Sequence, residues 1–89
     1  MNRKICYFAG HVQGVGFRYT AQELARGFNV TGFVRNLPDG RVELVIEGPD
    51  DETDGLIDAI KQKMEGLIHG TTCDLSPATG EFKQFSVRH

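Results

Sequence analysis

A glycine-rich segment near the start of the chain separates a strand pattern from a helix pattern. Residues 4–12, KICYFAGHV, are rich in β-branched and aromatic residues, which predicts a strand. From Phe17 onward, apolar residues recur at positions 17, 21, 24, 25 and 28, the spacing of one helix face. Between the two patterns, residues 10–18 read GHVQGVGFR. The chain is therefore expected to pass from a strand into a helix through a loop of permissive backbone.

The rest of the chain predicts further strands and a second helix. The turn sequence Pro38-Asp39-Gly40 lies between two apolar runs, which indicates a hairpin. The predicted elements are a second strand at residues 30–37, a third at 41–47, a helix capped by Asp50 or Asp51 with the apolar stripe Leu56, Ile57, Ile60 and Met64, a short strand at 71–75, and a last strand containing Phe85 and Val87.

The resulting order is β-α-β-β-α-β, with or without the short strand at 71–75 as an extra element, and it predicts an α+β fold in a single domain spanning residues 1–89. Two split βαβ units form a ferredoxin-like sandwich, with two helices on one face of a four- or five-stranded antiparallel (mixed) sheet. In this arrangement the first and second strands run parallel, with the third between them. Their C-terminal ends then lie at one edge of the sheet, which brings the glycine-rich loop close to Asn36.

Charge and hydropathy narrow the classes of partner. The net charge of −2 argues against nucleic acid as a partner, because affinity for nucleic acid depends largely on positive side chains that neutralise its phosphates. No segment approaches the roughly 18 apolar residues of a membrane span, and the N-terminal apolar run is too short for a signal peptide. We therefore expect a cytoplasmic monomer that binds neither nucleic acid nor membranes.

The cysteines and histidines indicate neither a disulfide scaffold nor a metal site. Cys6 and Cys73 are expected to be free thiols, because they can bond only if their strands are neighbours. The histidines, at positions 11, 69 and 89, lack metal-ligand spacing. His69 and His89 are expected to be ordinary surface residues, and no metal or cofactor is expected.

The loop, the following helix and Arg18 together fit a phosphate site. Main-chain N–H groups that run into a helix N-terminus attract anions, and the planar guanidinium of Arg18 can hold a phosphate through two bonds. The segment is not a Walker A loop, which ends in Lys and then Ser or Thr, nor a dinucleotide fingerprint, which needs a glycine where the chain has Tyr19. The alternative is a tight connection whose glycines serve backbone geometry alone.

The lack of an evident nucleophile, metal or general acid limits the chemistry. An acyl phosphate expels a carboxylate, whose conjugate acid has a pKa of about 4, so the leaving group needs no proton. Such a reaction requires only a phosphate cradle and a group that orients water. The amide carbonyl of Asn36 can accept a hydrogen bond from that water. The alternative is that Asn36 is only a turn-favouring residue.

Two stretches of the chain resemble the acylphosphatase family. Residues 10–18 match its first signature, G-x-V-Q-G-V-x-F-R, at every fixed position. The second signature is matched by Gly32-Phe33-Val34-Arg35-Asn36, Asp39-Gly40, Val42 and Gly48. The resemblance implies hydrolysis of small-molecule acyl phosphates without metal or cofactor.

The resemblance also implies a role for each matched residue. Arg18 would bind phosphate together with the loop amides of Gln13, Gly14, Val15, Gly16 and Phe17. Asn36 would position the attacking water, whose proton the substrate phosphate itself would take. The segment after the second helix, GLIHGTTCDLSP, is shorter than in many members, which affects the expected edge strand and not the site.

Two other interpretations remain open. The first is a non-catalytic binding module on the same fold, such as an RNA-binding or regulatory domain. The second is an acylphosphatase-like module of a larger carbamoyl-transfer enzyme. Phosphate release from a generic acyl phosphate distinguishes an enzyme from a binding module.

Overall fold

The computed structural model describes residues 1–89, which form five strands and two helices. The longer helix has 14 residues, and neither helix is long and apolar enough to cross a membrane. The elements are β1 (Asn2–Gly10), α1 (Phe17–Ala25), β2 (Thr31–Asn36), β3 (Val42–Gly48), α2 (Asp50–Lys63), β4 (Ile68–Pro77) and β5 (Phe85–Arg88).

The strands form one mixed sheet in the order β4-β1-β3-β2-β5. β3 pairs antiparallel with both β1 and β2, so β1 and β2 run parallel, and β5 pairs parallel with β2. The predicted ferredoxin-like α+β fold is confirmed. The C-terminal ends of β1, β2 and β5 consequently lie at the same edge of the sheet.

The hydrophobic core lies between this sheet and the two helices. Alternate residues of the central strands, among them Phe8 and Leu44, are fully buried. The Phe8 ring lies 5.2 Å from that of Phe17, the first residue of α1. Position 55 of α2 requires a glycine, because a side chain there would clash with the Phe28 ring. The core therefore fixes where α1 begins relative to the sheet.

The edge strand β4 is longer than the predicted strand at residues 71–75. It spans ten residues and pairs with β1 along its whole length. Most of its residues are exposed, so its sequence lacks the alternation of apolar and polar residues that marks a half-buried strand. Backbone pairing with β1, and not burial of side chains, determines this element.

The expectation of two free thiols is wrong, because Cys6 and Cys73 form a disulfide. They are directly opposite in the β1–β4 ladder, so the neighbouring strands that such a bond requires are present. The bond joins two residues that are 67 positions apart in the sequence and attaches the edge strand to the core. Because neither cysteine is a free thiol, the cysteines no longer support a cytoplasmic location. The cytoplasmic location stays a prediction.

The β4–β5 connection, residues 78–84, folds over the sheet face opposite the helices. The Phe82 ring packs edge-on against Phe33 at 5.8 Å. The carboxylate of Glu47, whose side chain is only 4% exposed, accepts hydrogen bonds from the main-chain N–H groups of Thr79 and Gly80. It also accepts from the Thr79 hydroxyl and from Arg3 Nε at 2.8 Å. These contacts hold the segment that leads into β5.

The environment of Glu47 determines its pKa. Burial alone would raise the pKa of this carboxyl, but the hydrogen bonds from Thr79, Gly80 and Arg3 outweigh burial and lower the pKa from 4.5 to about 2. A carboxyl with a lowered pKa stabilises the fold when it is charged. This contribution is complete above about pH 4.5 and is lost as the pH falls towards about 2.

Replacing Glu47 by Gln should therefore remove an acid-sensitive part of the stability. We expect Glu47→Gln to lower the free energy of unfolding by about 2 kcal/mol near neutral pH, because bonds to a charged acceptor are replaced by weaker ones. The loss should shrink between about pH 4.5 and pH 2, where wild-type Glu47 becomes protonated. Denaturant unfolding across this pH range measures both effects.

Glu23→Gln is the matched control, because Glu23 is exposed and pairs only with Arg26 on the same helix. Its unfolding free energy should stay within about 0.5 kcal/mol of wild type. Identical pH dependence of stability in the Glu47 variant and wild type would contradict the role assigned to Glu47.

Candidate active site

The loop between β1 and α1 presents a row of unused main-chain donors. Gly14 and Gly16 both have φ of +77°, in the left-handed region that favours glycine. The main-chain N–H groups of residues 13–17 donate to no acceptor in the protein. No side chain caps the N-terminus of α1. Free N–H groups at an uncapped helix start form a site for an anion.

The two helices differ in the charge of their first turns. The first turn of α2 carries Asp50, Asp51 and Glu52, as the helix dipole favours. The first turn of α1 has no acidic residue, and Arg18 is its second residue. No side-chain carboxylate on α1 therefore competes for the positive N-terminus of this helix.

Arg18 extends from α1 to the end of β5. Its Nη1 donates to the main-chain oxygen of Arg88 at 3.2 Å and lies 3.2 Å from Nδ1 of His89. Its Nε and Nη2 have no hydrogen-bond partner in the protein. The guanidinium is thus held on one side and has free donors on the other.

Asn36 is the last residue of β2 and contains an unsatisfied polar atom. Its Oδ1 is buried and accepts no hydrogen bond, and it is the only buried side-chain nitrogen or oxygen without a partner. A buried acceptor without a partner is costly, so such an atom in a folded protein calls for an explanation. Turn formation alone does not supply one.

Contacts from the loop and from α1 converge on either side of Asn36. The side-chain amide of Gln13 donates to the main-chain oxygens of Leu37 at 2.8 Å and Arg41 at 3.0 Å. Arg18 reaches Arg88, which lies opposite Arg35 in the β2–β5 ladder. Asn36 lies between Arg35 and Leu37, so the loop, Arg18 and Asn36 occupy one small region.

The structure assigns different surroundings to the loop residues that the sequence singles out. The Gln13 side chain is engaged with the β2–β3 hairpin, and the Phe17 side chain is buried in the core. Only the main chain of these two residues is available to a ligand. Gly14, Val15 and Gly16 are exposed. Neither Arg18 nor Asn36 lines any of the four surface clefts of the molecule.

Two features of this region are not apparent from the sequence patterns. One is the bond from Gln13 to the hairpin, and the other is the contact of Arg18 with Arg88 and His89. His89 is exposed, as expected of a surface residue, but it also contacts Arg18. The two residues in each of these contacts are at least 24 positions apart in the chain, so the contacts become visible only once the strands are paired.

Known proteins resemble this chain over nearly its whole length. The Acylphosphatase family model matches residues 4–87, a range that includes the loop, Arg18 and Asn36. An acylphosphatase of Syntrophus aciditrophicus is 44% identical over 89 residues, with 98% of this chain and 92% of that protein covered. The crystal structure of acylphosphatase from Bacillus subtilis has a TM-score of 0.92 at 31% identity, and both chains are fully covered.

A similar fold also occurs inside a much larger protein. The crystal structure of full-length HypF in its phosphate- and nucleotide-bound form matches with a TM-score of 0.81 and 26% identity. That match covers 99% of this chain but only 12% of HypF. The fold therefore exists both as a small separate protein and as one part of a long chain.

The bond from Gln13 to the hairpin predicts how the loop keeps its shape. Gln13→Leu should weaken binding of inorganic phosphate by about tenfold, because binding must then order a loop that the amide no longer holds. The free energy of unfolding should fall by only about 1–2 kcal/mol, since both carbonyls keep a main-chain donor. Calorimetric titration with phosphate and denaturant unfolding measure the two effects.

Gln62→Leu serves as the control, because Gln62 is exposed on α2 and its side chain makes no hydrogen bond within the protein. It should bind phosphate like wild type. If Gln13→Leu also binds phosphate like wild type, the loop does not depend on this bond.

Proposed function

The chain belongs to the acylphosphatase family, and we propose that it hydrolyses acyl phosphates with the glycine-rich loop, Arg18 and Asn36. As an acylphosphatase it is a hydrolase that splits a carboxyl–phosphate bond. The proposal assigns phosphate binding to the N–H groups of residues 13–17 and to Arg18. It assigns the orientation of water to Asn36.

The unused donors support the assignment of phosphate binding. Residues 13–17 offer five successive N–H groups, and Arg18 adds the free N–H groups of Nε and Nη2. A phosphoryl group has several oxygens, each of which accepts such bonds. Donors that are already held in place stabilise developing charge without reorganising during the reaction. The open position of the site fits a small substrate of which mainly the phosphate is bound.

The buried Oδ1 of Asn36 is the observation that carries the proposal. It is an acceptor without a donor, in a residue whose chain neighbour Leu37 is bonded to Gln13 and whose other neighbour Arg35 lies opposite Arg88, the partner of Arg18. Because this oxygen is buried, a water molecule reaches it only when the Asn36 side chain moves; the water would then satisfy the oxygen and be oriented by it. The cost of leaving the acceptor unsatisfied in the absence of water is then explained by its function.

The reaction can proceed without a separate acid or base. The water oxygen forms a bond to phosphorus while the bond from phosphorus to the acyl oxygen breaks. The carboxylate leaves as an anion, because the pKa of its conjugate acid is only about 4. The proton of the water passes to an oxygen of the substrate phosphate. The products are a carboxylate and inorganic phosphate, and the protein supplies orientation and electrostatic stabilisation.

The guanidinium of Arg18 should be irreplaceable by another cation. Arg18→Ala should lower kcat/KM for a generic acyl phosphate by about 10²-fold or more, and Arg18→Lys should be nearly as poor. A lysine ammonium is a point charge and cannot form two parallel bonds to one phosphate. Steady-state hydrolysis by purified variants, in the presence of excess chelator, measures the effect.

Arg26→Lys is the matched control, because Arg26 directly follows α1 and pairs only with exposed Glu23. Its rate should equal that of wild type. An Arg18→Lys rate within about threefold of wild type would exclude the two-bond contact. Absence of hydrolysis by the wild-type protein would instead support a binding module.

Asn36 should affect the chemical step and not the binding of phosphate. Asn36→Ala should lower kcat on the order of 10²-fold, while the inhibition constant of phosphate stays within about twofold of wild type. Asn36→Asp keeps an acceptor but adds a negative charge near the bound anion, so it should also be slow. Kinetics with phosphate as inhibitor, together with the unfolding midpoint, test these expectations.

A turn residue would behave differently in the same measurements. It would lose stability when replaced by Ala, tolerate Asp, and keep a normal kcat in the folded fraction. Asn29→Ala is the control for changing an asparagine in a connection outside the site, and its kcat should be normal. A wild-type kcat in both Asn36 variants would show that another group orients the water.

A further inference from the structure

One nitrogen of the Arg18 side chain is occupied by two acceptors at the end of β5. Nη1 lies 3.2 Å from the main-chain oxygen of Arg88 and 3.2 Å from Nδ1 of His89. A guanidinium has five N–H groups, of which Nη1 carries two. Both contacts of Arg18 with the end of β5 are made through Nη1. The three other N–H groups, on Nε and Nη2, form one edge of the planar group.

This edge is the one that can face a phosphate. Nε–H and one Nη2–H are parallel and match two oxygens of a phosphoryl group. If Nη1 had no partner on the protein, the side chain would be free to adopt other rotamers and to present another edge. Two acceptors on Nη1 thus select both the position and the orientation of the guanidinium.

The fold holds both acceptors through contacts on either side. The Arg88 guanidinium stacks on the Phe33 ring at 3.8 Å, and Arg88 lies opposite Arg35 in the parallel β2–β5 ladder. The His89 ring lies 6.5 Å from the ring of Tyr19, the residue after Arg18. The carbonyl of Arg88 is therefore fixed by the sheet, and the His89 ring is placed beside α1.

We propose that His89 is a positioning residue for the reaction, which holds Arg18 in the orientation that binds the substrate phosphate. The proposal rests on the proposed function of Arg18. His89 acts through Nδ1 as an acceptor, so the ring proton is on Nε2. His89 needs no contact with the substrate, because its effect is to raise the fraction of molecules in which Arg18 is ready to bind.

Two variants separate the acceptor from the ring. His89→Phe keeps a ring beside Tyr19 but removes the acceptor, whereas the amide oxygen of His89→Gln restores an acceptor without a ring. In His89→Phe, the KM for acyl phosphate and the inhibition constant of phosphate should rise by about threefold to tenfold, because fewer molecules are competent to bind. The kcat should change less than about twofold, since saturating substrate selects the competent state. His89→Gln should resemble wild type.

The unfolding midpoint distinguishes positioning from a general structural role. His89→Phe should unfold at the same denaturant concentration as wild type, since His89 is exposed. His69→Phe is the matched control, because His69 is an exposed histidine of β4 away from Arg18. Its KM and inhibition constant should be unchanged. A lower midpoint with unchanged kinetic constants in His89→Phe would overturn the proposal.

A double-mutant cycle distinguishes failure of this inference from failure of the proposed function. In an Arg18→Ala background, His89→Phe should have no further effect on the phosphate inhibition constant, because its effect passes through Arg18. If Arg18→Ala weakens phosphate binding but His89→Phe alone does not, the positioning role is wrong and the role of Arg18 stands. If Arg18→Ala itself leaves phosphate binding unchanged, both fail.

Discussion

The pairing of β3 with both β1 and β2 is the constraint on which the candidate site depends. Because β3 is antiparallel to each neighbour, β1 and β2 run in the same direction, and their C-terminal ends meet at one edge. This edge receives the glycine-rich loop from β1 and Asn36 from β2. The parallel pairing of β5 with β2 then brings the last residues of the chain to the same edge, where they contact Arg18.

The candidate site contains polar groups that the fold leaves unsatisfied. The N–H groups of residues 13–17 have no acceptor, and Oδ1 of Asn36 has no donor. Elsewhere the fold supplies partners for buried polar groups. The buried carboxylate of Glu47, for example, accepts four hydrogen bonds. The contrast supports the proposal that the free donors bind an anion and that the free acceptor binds a water molecule. A small substrate phosphate would complement both.

Both ends of β5 are held by contacts on the sheet face opposite the helices. Before β5 begins, residues 78–84 donate hydrogen bonds to Glu47 and pack against Phe33. Where β5 ends, Arg88 stacks on Phe33. A short edge strand of four residues gains little from its own ladder, so these side-chain contacts matter for its position. They connect the face without helices to the orientation of Arg18.

Local patterns in the sequence were sufficient for the fold class and for the family, and they supplied the residues of the proposed site. Each of these predictions rests on a pattern within a short segment. The patterns are the change of hydrophobic period at Phe17, the turn sequence Pro38-Asp39-Gly40 and the two family signatures. Only the tertiary structure decided four other features. They are the extent of β4, the Cys6–Cys73 bond, the Gln13 contact with the hairpin and the His89 contact with Arg18. Each depends on residues far apart in the chain that pairing across the sheet brings together. An exposed edge strand and a polar side chain bonded to a distant carbonyl leave no periodic pattern in the sequence, because neither requires burial of apolar residues at regular intervals.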